Sequence, residues 1–67
     1  MLKAGAIIRR LLEDGWMETK ARGSHRNFRH PVKPGKVTVP FHGSRDLPIG
    51  TIRSIERQAG LDLLPKR

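Results

Sequence analysis

Between Gly23 and Pro31 the chain reads GSHRNFRHP, which gathers two of its three histidines and two arginines into nine residues. Imidazole exchanges protons near neutral pH and guanidinium groups hold phosphate oxygens, so the pairing points to acid and base chemistry at a phosphodiester. RNA allows that chemistry without a metal. Its 2′-hydroxyl can attack the adjacent phosphorus once a base removes the proton, and guanidinium groups can stabilise the charge that develops on the phosphoryl oxygens. DNA offers no such nucleophile. His25 is the candidate catalytic residue, Gly23 and Ser24 are the turn that presents it, and Lys20, Arg22, Arg29 and Lys36 are the candidate RNA-binding cations. The plainer alternative is a non-catalytic RNA-binding module, because a lone histidine in a basic strand is more often a binding or surface residue.

Other chemistries fit less well. Metal-assisted hydrolysis needs carboxylates converging on one point, and Glu13, Asp14, Glu18, Asp46, Glu56 and Asp62 are scattered. His25, His30 and His42 do not have the spacing of a zinc finger, and an extended strand sends His25 and His30 to opposite faces. Ser24 next to His25 points away from it and has no acid nearby to complete a triad. With no cysteine in the chain, a thiol nucleophile, a thiolate zinc site and a disulfide are all excluded. No metal and no cofactor is expected. A second proton-transfer group, if there is one, is left open among His30, His42 and the lysines.

The charge distribution supports a polyanionic partner. The chain has a net charge of +8, from 14 Lys and Arg against 6 Asp and Glu. No acid lies between Glu18 and Asp46, while Lys20, Arg22, Arg26, Arg29, Lys33, Lys36 and Arg45 all do. An acidic protein partner would also fit such a run, as would a merely solvated surface. At 67 residues the chain is one domain, 1–67, with a thin margin of stability. The start MLKAGAIIRRLL has no apolar run suited to a signal peptide, and nothing approaches a membrane span, so a soluble cytoplasmic protein is expected.

The elements that must hold His25 follow from periodicity. Ala4 to Asp14 puts Ile7, Ile8, Leu11 and Leu12 on one helical face, and Gly15 ends the helix. From Trp16 the period becomes two as far as Arg22. A second extended run starts at His25 and reaches about His30, and the Gly-Ser between them reads as a type II′ hairpin turn. A regular hairpin sets Arg22 opposite His25, Lys20 opposite Asn27 and Glu18 opposite Arg29 on one face. Met17, Thr19, Ala21, Arg26, Phe28 and His30 then share the other face, with Arg26 and His30 at its rim. Trp16 can pack on the first helix or stack on a base, the first being preferred. Lys33-Pro34-Gly35-Lys36 fits a type II turn. A third strand follows, burying Val37, Val39 and Phe41 and exposing Lys36, Thr38 and Pro40. Pro48 opens a second helix with Ile49, Ile52, Ile55 and Ala59 as its stripe. Gly60 closes it, Leu61, Leu63 and Leu64 fold back as a cap, and Pro65 to Arg67 fray. The expected class is α+β, in the order α-β-β-β-α, a three-stranded antiparallel sheet with both helices on one face. The open face then carries Lys20, Arg22, His25, Asn27, Arg29, Lys36 and Thr38.

Four blocks in this order, Gly15-Trp16 after an amphipathic helix, GSHRNFRHP, KPGKVTVP and DLPIGTIRSIERQAGL, resemble the HicA-type toxins of bacterial and archaeal toxin-antitoxin systems. The resemblance spans Ala6 to Leu61. It departs modestly at Gly5 and in the segment from Pro40 to Gly43, neither of which touches the histidine block. It implies a fold like the double-stranded RNA-binding domain and the activity of an mRNA interferase, which cuts transcripts and halts translation. It also implies that a HicB-type antitoxin binds and covers the active site. The catalytic histidine of that pattern falls on His25, with Gly23 and Ser24 in the same block. It assigns no role to Lys20, Arg22 or Arg29.

Overall fold

The computed structural model describes residues 2–41, 43 and 45–64. Helix α1 (Ala4–Glu13) is followed by strands β1 (Met17–Glu18), β2 (His25–Arg29) and β3 (Lys36–Pro40), and then by helix α2 (Ile49–Ala59). The strands form one antiparallel sheet in the order β1-β2-β3. This is the expected α+β arrangement. Phe28 lies opposite Val37 and Arg26 opposite Val39, so these four share a face, and the fully buried Phe28, Val37 and Val39 join Ile7, Leu11, Ile52 and Ile55 in a single core.

The helical stripes are narrower than their sequences propose. In α1 the buried set is Ala4, Ile7, Ile8 and Leu11, at the spacing of a helix seated on a sheet. Leu12 is 53% exposed. It lies one turn beyond Ile8, the least buried member of the set, and so falls off the edge of the contact. In α2, Ile52, Ile55 and Ala59 are buried while Ile49, in the first turn, is 50% exposed. Pro48 is the residue before the helix rather than its first, and Gly60 ends α2 in the left-handed conformation. Leu63 is buried and Leu61 and Leu64 pack partly on the core, the fold-back expected of them. The Glu56 carboxylate fixes that return by accepting the N–H groups of Leu63 (2.7 Å) and Leu64 (2.9 Å). The fraying expected at Pro65 to Arg67 lies outside the described residues.

At the end of α1 the Gly15 N–H donates to the Leu12 carbonyl and the Trp16 N–H to the Leu11 carbonyl. This paired closure requires a positive φ at the intervening residue, and Gly15 has φ +103°. The reversal drops Trp16 beside Leu11 into the core, where it is 1% exposed, so Trp16 is a packing residue. Its indole N–H is buried without a hydrogen bond to any described residue. It nonetheless lies close enough to the Asp14 carboxylate to help hold that group below its ordinary pKa, an effect owed first to the Lys33 ammonium.

His30 and Lys33 lock this corner. The Nδ1 of His30 accepts the N–H groups of Val32 and Lys33, both at 3.0 Å, so Nε2 carries the proton and donates to the Asp14 carbonyl at 2.8 Å. The imidazole also meets the Trp16 ring edge-on, with centroids 5.2 Å apart. Lys33 donates to the Asp14 carboxylate and to the Ala59 carbonyl at 3.1 Å, joining the C-terminal ends of both helices. One turn therefore pins three elements. Within it Gly35 has φ +84°, the value that the third residue of a type II turn needs.

Candidate active site

The hairpin tip closes as its sequence requires. Arg22 and His25 exchange both backbone hydrogen bonds, each 2.9 Å. Gly23 has φ +55° while Ser24 has a negative φ, which fits a type II′ turn and not a type I′ turn. The Phe41 N–H donates to the Ser24 carbonyl at 2.6 Å, tying the tip to the end of β3. His25 is the first residue of β2, lies opposite Pro40 and is exposed.

Beyond the tip the register departs from the regular hairpin. Met17 pairs with Arg29 and Glu18 with Phe28, not Glu18 with Arg29. From Glu18 to Arg22 is four steps, whereas from Phe28 back to His25 is three, so the first strand carries one extra residue. Thr19 to Ala21 form a β-bulge, and the regular strand expected from Trp16 to Arg22 shrinks to Met17–Glu18. Because side chains alternate, one inserted residue exchanges the faces of everything beyond it. Met17 moves to the open face, where it is 59% exposed. Glu18 leaves that face for the rim of the packed side, where its carboxylate takes Arg26 Nε at 2.7 Å and Nη2 at 2.6 Å. The Arg26 hydrogen bonds hold the Glu18 carboxyl below its usual range, and Glu18 raises Arg26 in return. The Arg26 guanidinium also lies 5.3 Å from the centre of the Phe41 ring.

Asn27 holds the bulge, and this was not foreseen from sequence beyond placing it on the open face. Its Nδ2 donates to the Lys20 carbonyl at 3.1 Å, its Oδ1 accepts the Thr38 hydroxyl at 2.8 Å, and its own carbonyl accepts the Thr19 N–H at 2.8 Å. The amide thus spans the three strands at the middle of the face.

The basic residues between Glu18 and Asp46 sort into two groups. Arg26 and Lys33 are committed to Glu18 and Asp14. Lys20, Arg22, Lys36 and Arg45 are exposed and form no ion pair with any described residue, and Arg29 reaches only the Gly35 carbonyl at 3.5 Å. Of the expected site, the register brings His25, Arg22, Asn27, Thr38, Arg29 and Lys36 onto one face, with Lys20 in the bulge at its border. With Glu18 turned away, β1, β2 and β3 place no carboxylate on that face. His30 belongs elsewhere, since both its nitrogens are engaged in the corner described above. His42 lies outside the described residues. Among the described residues no three His, Asp or Glu side chains group as metal ligands, and no helix is long and apolar enough to cross a membrane.

No curated protein matches the chain. A family model, that of the HicA toxin of bacterial toxin-antitoxin systems, matches residues 6–61. The matched span takes in most of α1, the hairpin with His25, the Lys33 turn, β3 and α2, and the chain belongs to the HicA toxin family.

Proposed function

We propose that this toxin is a metal-independent endoribonuclease, an mRNA interferase that cleaves transcripts in the cytoplasm and so blocks translation. His25 serves it as general base or acid. The observation that carries the reading is an exposed histidine at a hairpin tip, beside Arg22 and on a sheet face to which the strands contribute cations and no carboxylate. In the step envisaged, His25 takes the proton of a 2′-hydroxyl, the 2′-oxygen bonds to phosphorus, and the 5′-oxygen leaves and takes a proton from water. Arg22, Arg29, Lys20 and Lys36 hold the phosphates and offset the charge that builds on the phosphoryl oxygens. Gly23 and Ser24 set the position of the imidazole. A HicB-type antitoxin silences the enzyme by covering this face.

Purified protein is expected to cleave single-stranded RNA in the presence of a chelator, leaving 2′,3′-cyclic or 3′-phosphate ends. His25→Ala is expected to lower the rate by about 10²- to 10⁴-fold, the range of acid and base catalysis, with an unchanged circular dichroism spectrum. Undiminished cleavage by the folded variant would sink the assignment. RNA binding without cleavage by the wild-type chain would leave the alternative, a non-catalytic RNA-binding module.

A further inference from the structure

Across the β3 edge from the hairpin tip, Pro40, Arg45, Asp46, Leu47, Pro48 and Thr51 line a recess of about 370 Å³, within the range of small-ligand sites. We infer that it is a nucleobase subsite, one that favours a base with an exocyclic amino group next to the phosphate held at His25. The inference rests on the RNA-cleaving reading and deepens it.

Position supplies the first argument. Pro40 is the cross-strand partner of His25, and directly opposed side chains lie on the same face with Cβ atoms about 5 Å apart. A nucleoside joined to a phosphate at His25 therefore reaches the recess without leaving the surface. The lining chooses the occupant. Two proline rings and Leu47 give apolar walls against which the π-face of any base can lie. The Asp46 carboxylate disfavours a phosphate inside the recess, while exposed Arg45, which has no ion pair among the described residues, can take the phosphate from its rim.

Asp46 also supplies the selectivity. Its Oδ1 is 3.2 Å from Lys3 Nζ, while Oδ2 has no described partner and accepts hydrogen bonds only. Guanine, adenine and cytosine present an amino donor on the Watson–Crick edge; uracil presents a single N–H between two acceptors, which a carboxylate repels. The Thr51 hydroxyl on the same wall can donate or accept.

The full chain titrated with nucleoside monophosphates and followed through its backbone amide resonances tests this without requiring cleavage. Saturable shifts at Asp46, Leu47 and Thr51 are expected with GMP, AMP and CMP, and weaker ones with UMP. Asp46→Asn, which can donate as well as accept, is expected to reduce the GMP-over-UMP preference about tenfold, as for loss of one base-edge contact. Where that variant fails to fold, Thr51→Val carries the test through weaker binding of all four nucleotides. Shifts confined to β2 and β3, or equal affinity for GMP and UMP in the wild-type chain, would overturn the subsite. So would recess amides that respond only to an acidic peptide. Nucleotide binding in the recess by a chain that cleaves no RNA supports the subsite and removes the enzyme reading; cleavage with silent recess amides removes the subsite alone.

Discussion

At the residue scale the two described histidines of one short block do opposite things. His25 and His30 are five positions apart, and an alternating strand separates their faces, which the sequence alone makes plain. What composition could not tell is that His30 is already employed. Its acceptor nitrogen satisfies the Val32 and Lys33 amides, and its N–H closes on the Asp14 carbonyl. Only packing reveals this, because its partners come from residues on both sides of β1 and β2. Gly15 belongs to the same arrangement: a Cβ there would stand 2.9 Å from His30 Nε2, at a backbone φ of +103°. His30→Ala is therefore expected to cost about 1–2 kcal/mol, the lower part of the range for polar groups left without partners, since the turn is partly solvated. Chemical denaturation measures it. Cleavage by the fraction that stays folded should match wild type, the reverse of His25→Ala. A His30→Ala protein of full stability and no activity would mean that the roles of the two histidines have been exchanged.

At the element scale the informative departure is the bulge. The Gly-Ser turn and the alternation of β3 were legible because they depend on local backbone chemistry: a residue able to take positive φ, and a two-residue period. The extra residue at Thr19 to Ala21 was not legible, since those residues contain no glycine and the local pattern fits a continuous strand equally well. Tertiary partners decide it, with Arg26 taking Glu18 at the rim and Asn27 receiving the bulged backbone. The result matters for the proposed function because it takes Glu18, the carboxylate of β1, off the basic face. Two substitutions at Asn27 separate its positioning role from charge. Asn27→Ala removes the bond to the Lys20 carbonyl and the partner of Thr38, at an expected cost of about 1 kcal/mol. Cleavage should fall severalfold as Lys20 and Arg22 lose their placement. Asn27→Asp likewise cannot donate to Lys20, and it restores a negative charge to the face, so its RNA affinity should drop further than that of Asn27→Ala. Filter binding at fixed ionic strength compares them. Equal affinities for the two variants would show that freedom from carboxylates on this face is of no consequence.

At the scale of the whole molecule, a chain of 67 residues has little stability to spare, on the order of 3–10 kcal/mol at the usual density per residue. Ties between distant segments therefore set the conditions under which it stays folded. Glu56 is the clearest of them. The amides of Leu64 and Leu63, with Arg53 adding a hydrogen bond, bring its pKa from 4.5 down to about 2, and the same bonds keep Leu63 against the core. A folded-state pKa below the unfolded value means that the unfolded chain binds the proton more readily. The stabilisation is then complete above about pH 4.5 and declines as pH falls towards 2. Asp14 and Glu18, both lowered by their cations, lose their contributions on the same acid side. The share of the melting temperature that these carboxylates supply should stay constant from neutrality to just above pH 4.5 and then fall steeply. Glu56→Gln keeps one acceptor oxygen for the Leu63 and Leu64 amides but removes the charge, so it should melt lower at pH 7 and lose less between pH 4.5 and 2. The two melting curves should converge in acid. If the variant instead ran parallel to the wild type down to pH 2, the acid sensitivity would lie in the Asp14–Lys33 and Glu18–Arg26 pairs, and the tie from α2 to the returning tail would not govern it.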